Sequence, residues 1–497
     1  MIRVVSVENM RKSDAATIAA GTPGKELMLR AGRGVFDSAQ WKPPVAILCG
    51  SGNNAGDGYV IALLLHEALI PCELILLSEK FSEDGMYYFT QCREAGIPVR
   101  LWESRTDLSG YGTIADCLFG TGFRGEVRGP AREVIEAVNS SGAYVVAVDI
   151  NSGLNGDSGL ADLCVRSDLT VSIGDFKAGH FLNMAKDVMK KKVNIDIGIE
   201  PVDRTFTLVE QADLAGLFAA RKNFSNKGTY GYTALIGGSK KYSGAIRLAG
   251  LAGAAMRSGA GVVKLAVPDV LFPIVAPVVL ESTVFPLDDD GNEIVFSEKK
   301  TAELVSNVKT AAFGMGIGTG KGAADMLEYL LGHFTGRLVV DADGLTLLSR
   351  MDRARIRNAA CTLVLTPHVK EFSRLTGLTA EEILNSPVST AEVYAKETGV
   401  ILLLKGPATV ITDGETTYIT DTGCAGMATA GSGDVLSGIL AAVLGYAPDP
   451  LFGTAAAAWI NGRAGELAQE KYGDISMIAS DTVNSIAETL RSISAME

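Results

Sequence analysis

Apolar positions fall into short runs separated by polar, glycine-rich turns, and this rhythm repeats along most of the chain. In the first half, the runs at residues 44–50, 72–77, 113–120, 144–150 and 169–174 are almost continuously apolar. Strands covered on both faces of a parallel sheet read this way. A helical segment precedes them, and residues 58–69 and 130–141 have the helical spacing expected of right-handed crossovers. Around residues 201–226 the rhythm lapses into a polar stretch, which puts a boundary near residue 210. Alternation then restarts, with strands predicted at 232–238, 261–268, 310–318, 337–344, 361–367 and 400–406. Helices are predicted at 244–259, 323–334, 434–446 and 449–473. The pattern predicts an α/β chain of two three-layer α/β/α domains, 1–210 and 211–497.

A length of 497 residues exceeds what one hydrophobic core supports, in keeping with two domains. A net charge of −12 argues against a nucleic-acid partner, because phosphate backbones call for clustered Lys and Arg. No apolar run reaches the roughly 18 residues of a membrane span, and no signal peptide opens the sequence, so a cytoplasmic protein is expected. The seven cysteines show no CxxC spacing and the four histidines no HxxxH pairing. Reduced core thiols are therefore expected, and no zinc site.

Candidate chemistry clusters at predicted strand ends. In the first domain these are the loop "GNNAGDG" with Asn53, Asn54 and Asp57, the segment "DCLFGTGFRGE" with Asp116, "VDINSG" with Asp149 and Ser152, and "GDFKAGH" with Lys177 and His180. Each could be a tight connection with Asx turns. Together, on one rim of a parallel sheet, they describe a polar pocket. Asn54, Asp116 and Ser152 could supply oxygen ligands to a cation, and Asp149 could exchange a proton. His180 reads as a loop residue.

In the second domain, "GMGIGTG", Asp341, Asp343, "TPHVKEFSRL", Lys405 and "TAGSGD" end strands or open helices. Asp341 and Asp343 could contact a Mg²⁺-bound water or a ribose, or cap a helix. Lys405 could reach a phosphate or cap into solvent. The "GSGD" turn ahead of an apolar helix offers free amides at a positive helix pole, with Asp434 placed to take a proton from an attacking hydroxyl. A plain N-cap is the alternative.

Taken in order, "GNNAGDG", "GTGFRG" and "VDINSG", then "GMGIG", "TPHVKEFSRL", "LLLKGPAT" and "GMATAGSGD", resemble the bifunctional NAD(P)H-hydrate repair enzymes over nearly the whole chain. The resemblance implies a Rossmann-like epimerase domain followed by a ribokinase-like, ADP-dependent dehydratase domain. It implies that Asn53, Asn54, Ala55, Gly56, Asp57, Gly120, Thr121, Gly122, Phe123, Arg124, Gly125, Glu126 and Asp149 hold the hydrate NADHX or NADPHX. Asn54, Asp116 and Ser152 then bind K⁺, and Asp149 is the acid/base. In the dehydratase, Ala260, Gly318, His368, Val369, Lys370, Glu371, Phe372, Ser373, Arg374 and Asp434 meet the hydrate, with Asp434 catalytic. Lys405, Gly406, Pro407, Ala408, Thr409, Cys424, Ala425, Gly426, Met427, Ala428, Thr429, Ala430, Gly431, Ser432 and Gly433 meet the nucleotide. Mg²⁺ and a homo-oligomer are also implied. A ribokinase-like vitamin or sugar kinase fused to a nucleotide-binding regulatory domain shares the "GSGD" chemistry and stays open as a second reading.

Two positions depart from the family pattern. Ala55 replaces a glycine; a positive φ there would cost about 1 kcal/mol. Asn151 replaces a proline, with the expected loss of a rigid turn.

Overall fold

Five of the runs read as buried strands in the first half pair in parallel. The sheet order is Val99–Leu101, Cys72–Leu76, Val45–Cys49, Thr113–Cys117, Tyr144–Val148, Leu169–Ile173, Lys192–Ile195. The two outermost strands, and the helices Gly24–Ser38 and Glu83–Glu94, were not legible in the pattern. Both edge strands are short, and neither holds a fully buried residue, so they lack the apolar density of the central five. The chain order reverses between Val45–Cys49 and Thr113–Cys117, and the crevice beyond the carboxyl ends of those strands is where an open α/β sheet takes a ligand.

This computed structural model describes every residue except 105, 219–220, 251–253 and 495–497. It divides into two compact units, Arg3–Phe206 and the chain from Thr207 onward joined by Met1–Ile2. In the second unit a parallel run, ordered Thr283–Leu287, Val262–Pro268, Tyr232–Ile236, Thr310–Phe313, Arg337–Val340, Thr362–Leu365, Ile401–Leu404, passes into an antiparallel hairpin, Thr409–Thr412 and Thr417–Thr420. The core lies between this sheet and the small-residue helices Ser432–Tyr446 and Pro450–Tyr472. The helix read at 244–259 is seen as Ser243–Gly250 and Ala254–Arg257, the part between them lying outside the described residues.

Predicted strands run too long wherever glycines follow. The strand read at 310–318 stops at Phe313, because Gly314, Gly316 and Gly318 take positive φ of 122°, 63° and 85°. Conversely, the helix read from Gly58 starts at Asn53, so Asn53–Asp57 form a helical first turn and the tight bend is Gly50–Gly52. Gly50 is required there: a Cβ would lie 2.0 Å from the Leu118 carbonyl oxygen.

Candidate active sites

The reversal in the first sheet opens into a cleft of about 540 Å³. Its walls include Asn53, Asn54 and Asp57 from the first helical turn, Gly120–Phe123 from the loop after Cys117, and Asp149 and Lys177 from the next strand ends. Asp14 and Arg11, from the helix Val7–Ala19, complete it, and sequence reasoning missed both. Asp14 lies on a polar helix whose only signal is its position in the fold.

Asp149 is not the free carboxyl expected of a simple acid. Its Oδ1 accepts from Lys177 Nζ at 2.5 Å, and the Ile173 and Thr121 amides approach its two oxygens at 3.4 Å. Burial alone would raise its pKa, but the Lys177 charge and hydrogen bond outweigh it and hold the carboxyl below its ordinary range. Its backbone φ is +66°, a strained value for a residue with a Cβ. His180, read as a loop residue, is fully buried and holds this turn: Nε2 lies 2.8 Å from the Asp149 carbonyl oxygen and Nδ1 accepts from the Lys177 amide at 3.0 Å. Burial pushes its imidazole down to about 4, so one neutral tautomer satisfies both contacts.

Asp116 is fully buried and receives the Ser152 hydroxyl at 2.5 Å and the Ser152 amide at 2.8 Å. Burial lifts its carboxyl to about 6 against those hydrogen bonds. Beside this strand end, Gly120 packs on Asn54, whose Oδ1 and Nδ2 are both buried without a hydrogen-bond partner. An orphaned amide oxygen near a buried carboxylate and a hydroxyl is a donor set that fits a monovalent cation.

Both family departures prove harmless in geometry. Ala55 has an ordinary helical φ, its methyl is buried in the core, and its amide donates to the Gly52 carbonyl, so it neither strains the turn nor reaches a ligand. Gly56 is also buried, against Met28. The Asn151 side chain replaces the rigidity of a proline with bonds: Nδ2 donates to the Val165 and Val188 carbonyls at 2.8 and 3.0 Å, and Oδ1 accepts from Thr170 at 2.6 Å. On the cleft's outer loop, Phe123 stacks on Phe119, Arg124 pairs with Asp157 and Glu126 with Arg128.

In the second unit Asp341, just beyond the carboxyl end of Arg337–Val340, gathers partners from two other elements. Its Oδ1 takes Lys405 Nζ at 2.9 Å and its Oδ2 takes the Ser437 hydroxyl at 2.9 Å. Neither Asp341 nor Asp343 caps a helix: the N-cap is Ala342, at φ +51°, and Asp343 accepts from the Gly318 amide at 2.9 Å. Lys405 is thus no solvent cap. Glu371 also lies 3.9 Å from its ammonium. His368 caps the helix Val369–Thr376, its Nδ1 accepting from the Lys370 and Glu371 amides while Glu371 accepts from the His368 amide.

The "GSGD" turn sits over this pair. Gly431 is the N-cap of Ser432–Tyr446 at φ +95°, where any Cβ would meet Leu248 at 2.4 Å. A Cβ on Gly433 would lie 3.4 Å from Asp341 Oδ2 and 3.5 Å from Lys405 Nζ. The Ser432 hydroxyl is buried without a partner. Asp434 is half-buried, and burial first, then the Asp341 and Asp343 charges, lift it to about 7 against the pull of Lys405. A carboxyl poised there can accept a proton at neutral pH, which a plain N-cap would not need.

Several expected contacts are not available. Ala260 and Phe372 are buried in the core, the Phe372 ring edge-on to Tyr394. Ser373 donates to the Leu378 carbonyl, and Gly426 is buried with its amide bound to Gln469. His368, Lys370 and Arg374 remain exposed on the same helix start, and Thr409 opens the hairpin strand next to Lys405.

The sequence model of the family NAD(P)H-hydrate dehydratase matches residues 233–488, and that of the YjeF-related protein N-terminus matches residues 24–179. The bifunctional NAD(P)H-hydrate repair enzyme Nnr of Pyrobaculum aerophilum is 32% identical over 506 residues, covering 99% of this chain and 98% of that one. Its counterpart from Archaeoglobus fulgidus is 34% identical over 489 residues, covering 98% of each. The ADP/ATP-dependent NAD(P)H-hydrate dehydratase of Bacillus subtilis, co-crystallized with ATP/Mg²⁺, superposes with a TM-score of 0.52 at 26% identity, covering 58% of this chain and 99% of that one. Because the likeness runs from end to end and takes in both sites, the chain belongs to the family of bifunctional NAD(P)H-hydrate repair enzymes.

Proposed function

We propose that the chain repairs hydrated nicotinamide nucleotides in two steps. Residues 1–210 interconvert the R and S epimers of NAD(P)HX, and residues 211–497 dehydrate the S epimer with ADP, releasing AMP and phosphate. The observation that carries the reading is the place of Asp434, in the first turn of a helix whose Gly433 lies over the Lys405–Asp341 pair and whose Ser432 hydroxyl has no partner. In this reading Asp434 takes the proton of the hydrate's C6 hydroxyl as that oxygen attacks the terminal phosphoryl group. The amides of Gly431–Gly433 and the Lys405 ammonium offset the negative charge that develops. Phosphate then leaves from C6, a proton leaves C5, and the C5=C6 bond of the dihydronicotinamide is restored.

Mg²⁺ fits beside this turn: it takes one or two carboxylates plus substrate phosphates, and Asp343 and Asp434 are near enough to repel each other. It would offset phosphate charge. In the first unit, Asn54, Asp116 and Ser152 would hold K⁺. The protein is expected to work in the cytoplasm as a homo-oligomer. The test is the return of dihydronicotinamide absorbance from S-NADHX with ADP, ATP or no nucleotide. Restoration without nucleotide would sink the phosphoryl-transfer reading.

A further inference from the structure

The cleft of the first unit holds more carboxyls than substrate positioning needs, and they are not in the same state. Asp149 is bound to Lys177 and faced by two amides, all of which favour its ionised form. Asp57 is the opposite case. It lines the same cleft, is 9% exposed, and its carboxyl has no hydrogen bond or ion pair among the described residues. Asp14, on the Val7–Ala19 helix, also faces the cleft without a partner. Two carboxyl groups with opposed environments in one site are the usual arrangement of an acid and a base.

We propose that Asp57 is the proton donor to the departing C6 hydroxyl in epimerisation, that Asp149 is the base which receives water on the other face, and that Asp14 is a positioning charge on the wall of the same cleft. This rests on the epimerase reading of the first unit. The Asp57 proton passes to the C6 oxygen as the C6–O bond breaks and water leaves. The N1 lone pair forms the C6=N1 bond, so a ring cation faces the new Asp57 carboxylate. Water then adds to C6 from the opposite face, and Asp149 takes its proton. Per turnover one proton is given and one taken, and exchange with water in the open cleft returns both.

Burial, then the charges of Asp149 and Asp14, push the Asp57 carboxyl well above its ordinary range, with Lys177 pulling the other way. The Asp14 carboxyl is raised in turn by burial, Asp149 and Asp84. Asp84 and Arg11 are the other charged groups on the cleft wall.

The experiment uses the full chain with R-NADHX as sole substrate, ADP and Mg²⁺, epimers being separated by chromatography. Asp57→Asn is expected to lower kcat for R loss by about 10²–10⁴-fold with KM within about threefold, while repair of S-NADHX is retained. The wild-type rate should fall as pH rises through the Asp57 titration, and Asp14→Asn should move that fall to lower pH, because a neighbouring negative charge is gone. An Asp57→Asn enzyme with kcat within about fivefold of wild type, a loss confined to KM, or an unmoved limb in Asp14→Asn would each overturn the assignment. Wild-type enzyme that consumes R-NADHX no faster than spontaneous epimerisation would instead remove the epimerase reading itself.

Discussion

Replacing Asp434 by asparagine should stop repair and stabilise the second unit at the same time. The carboxyl is lifted from its ordinary 3.8 to about 7, chiefly by burial. In the unfolded chain it ionises near 3.8 while in the folded chain it stays protonated to about 7. Folding stability therefore falls as pH rises between those values, and is flat below and above them. Those roughly three pH units correspond to about 4 kcal/mol at pH 8, at ~1.36 kcal/mol per unit, as an upper bound. The Asn variant has no such penalty, so its advantage should be absent near pH 4, grow toward pH 7 and then level off. At ~2–4 °C per kcal/mol for a domain of this size, a rise of several degrees is expected in the melting transition of the second unit at pH 8. Calorimetry of both proteins at pH 4.5 and pH 8, with the absorbance assay beside it, measures both effects. A variant no more stable at pH 8, or equally stabilised at both pH values, would show that Asp434 is not a desolvated carboxyl. The catalytic argument would then lose its basis.

Repair of S-NADHX with ADP should rise with pH through about 7, since Asp434 must be ionised to accept a proton; a flat profile from pH 6 to 8 would contradict its role. Asn151→Ala leaves the Val165 carbonyl without a partner in a buried site, at ~1–3 kcal/mol, and leaves the Val188 carbonyl and the Thr170 hydroxyl with only their Ser167 bonds, so thermal melting of the first unit should drop. Ala55→Gly, which restores the family residue, should bring no gain in epimerase rate and cost about 0.5–1 kcal/mol, because the position is helical. Replacing K⁺ by a bulky organic cation should slow R-to-S conversion and spare S repair; equal slowing of both would count against a site at Asn54, Asp116 and Ser152.

The order of apolar runs determined the two parallel α/β sheets, and glycine clusters beside them marked the strand ends where chemistry gathers. Such patterns are local: a strand buried on both faces must be apolar along its length, and a turn against a ligand must shed its side chains. Tertiary structure alone decided which groups pair. Lys177 and Asp149 are 28 residues apart and Lys405 and Asp341 are 64 apart, and no periodicity links either pair. It also decided that Ala55 is helical, that Asn151 does a proline's work through hydrogen bonds, and that Asp14 belongs to the first cleft. Burial and charge neighbours set the protonation of Asp57, Asp149 and Asp434, and those exist only once the sheets have closed around them.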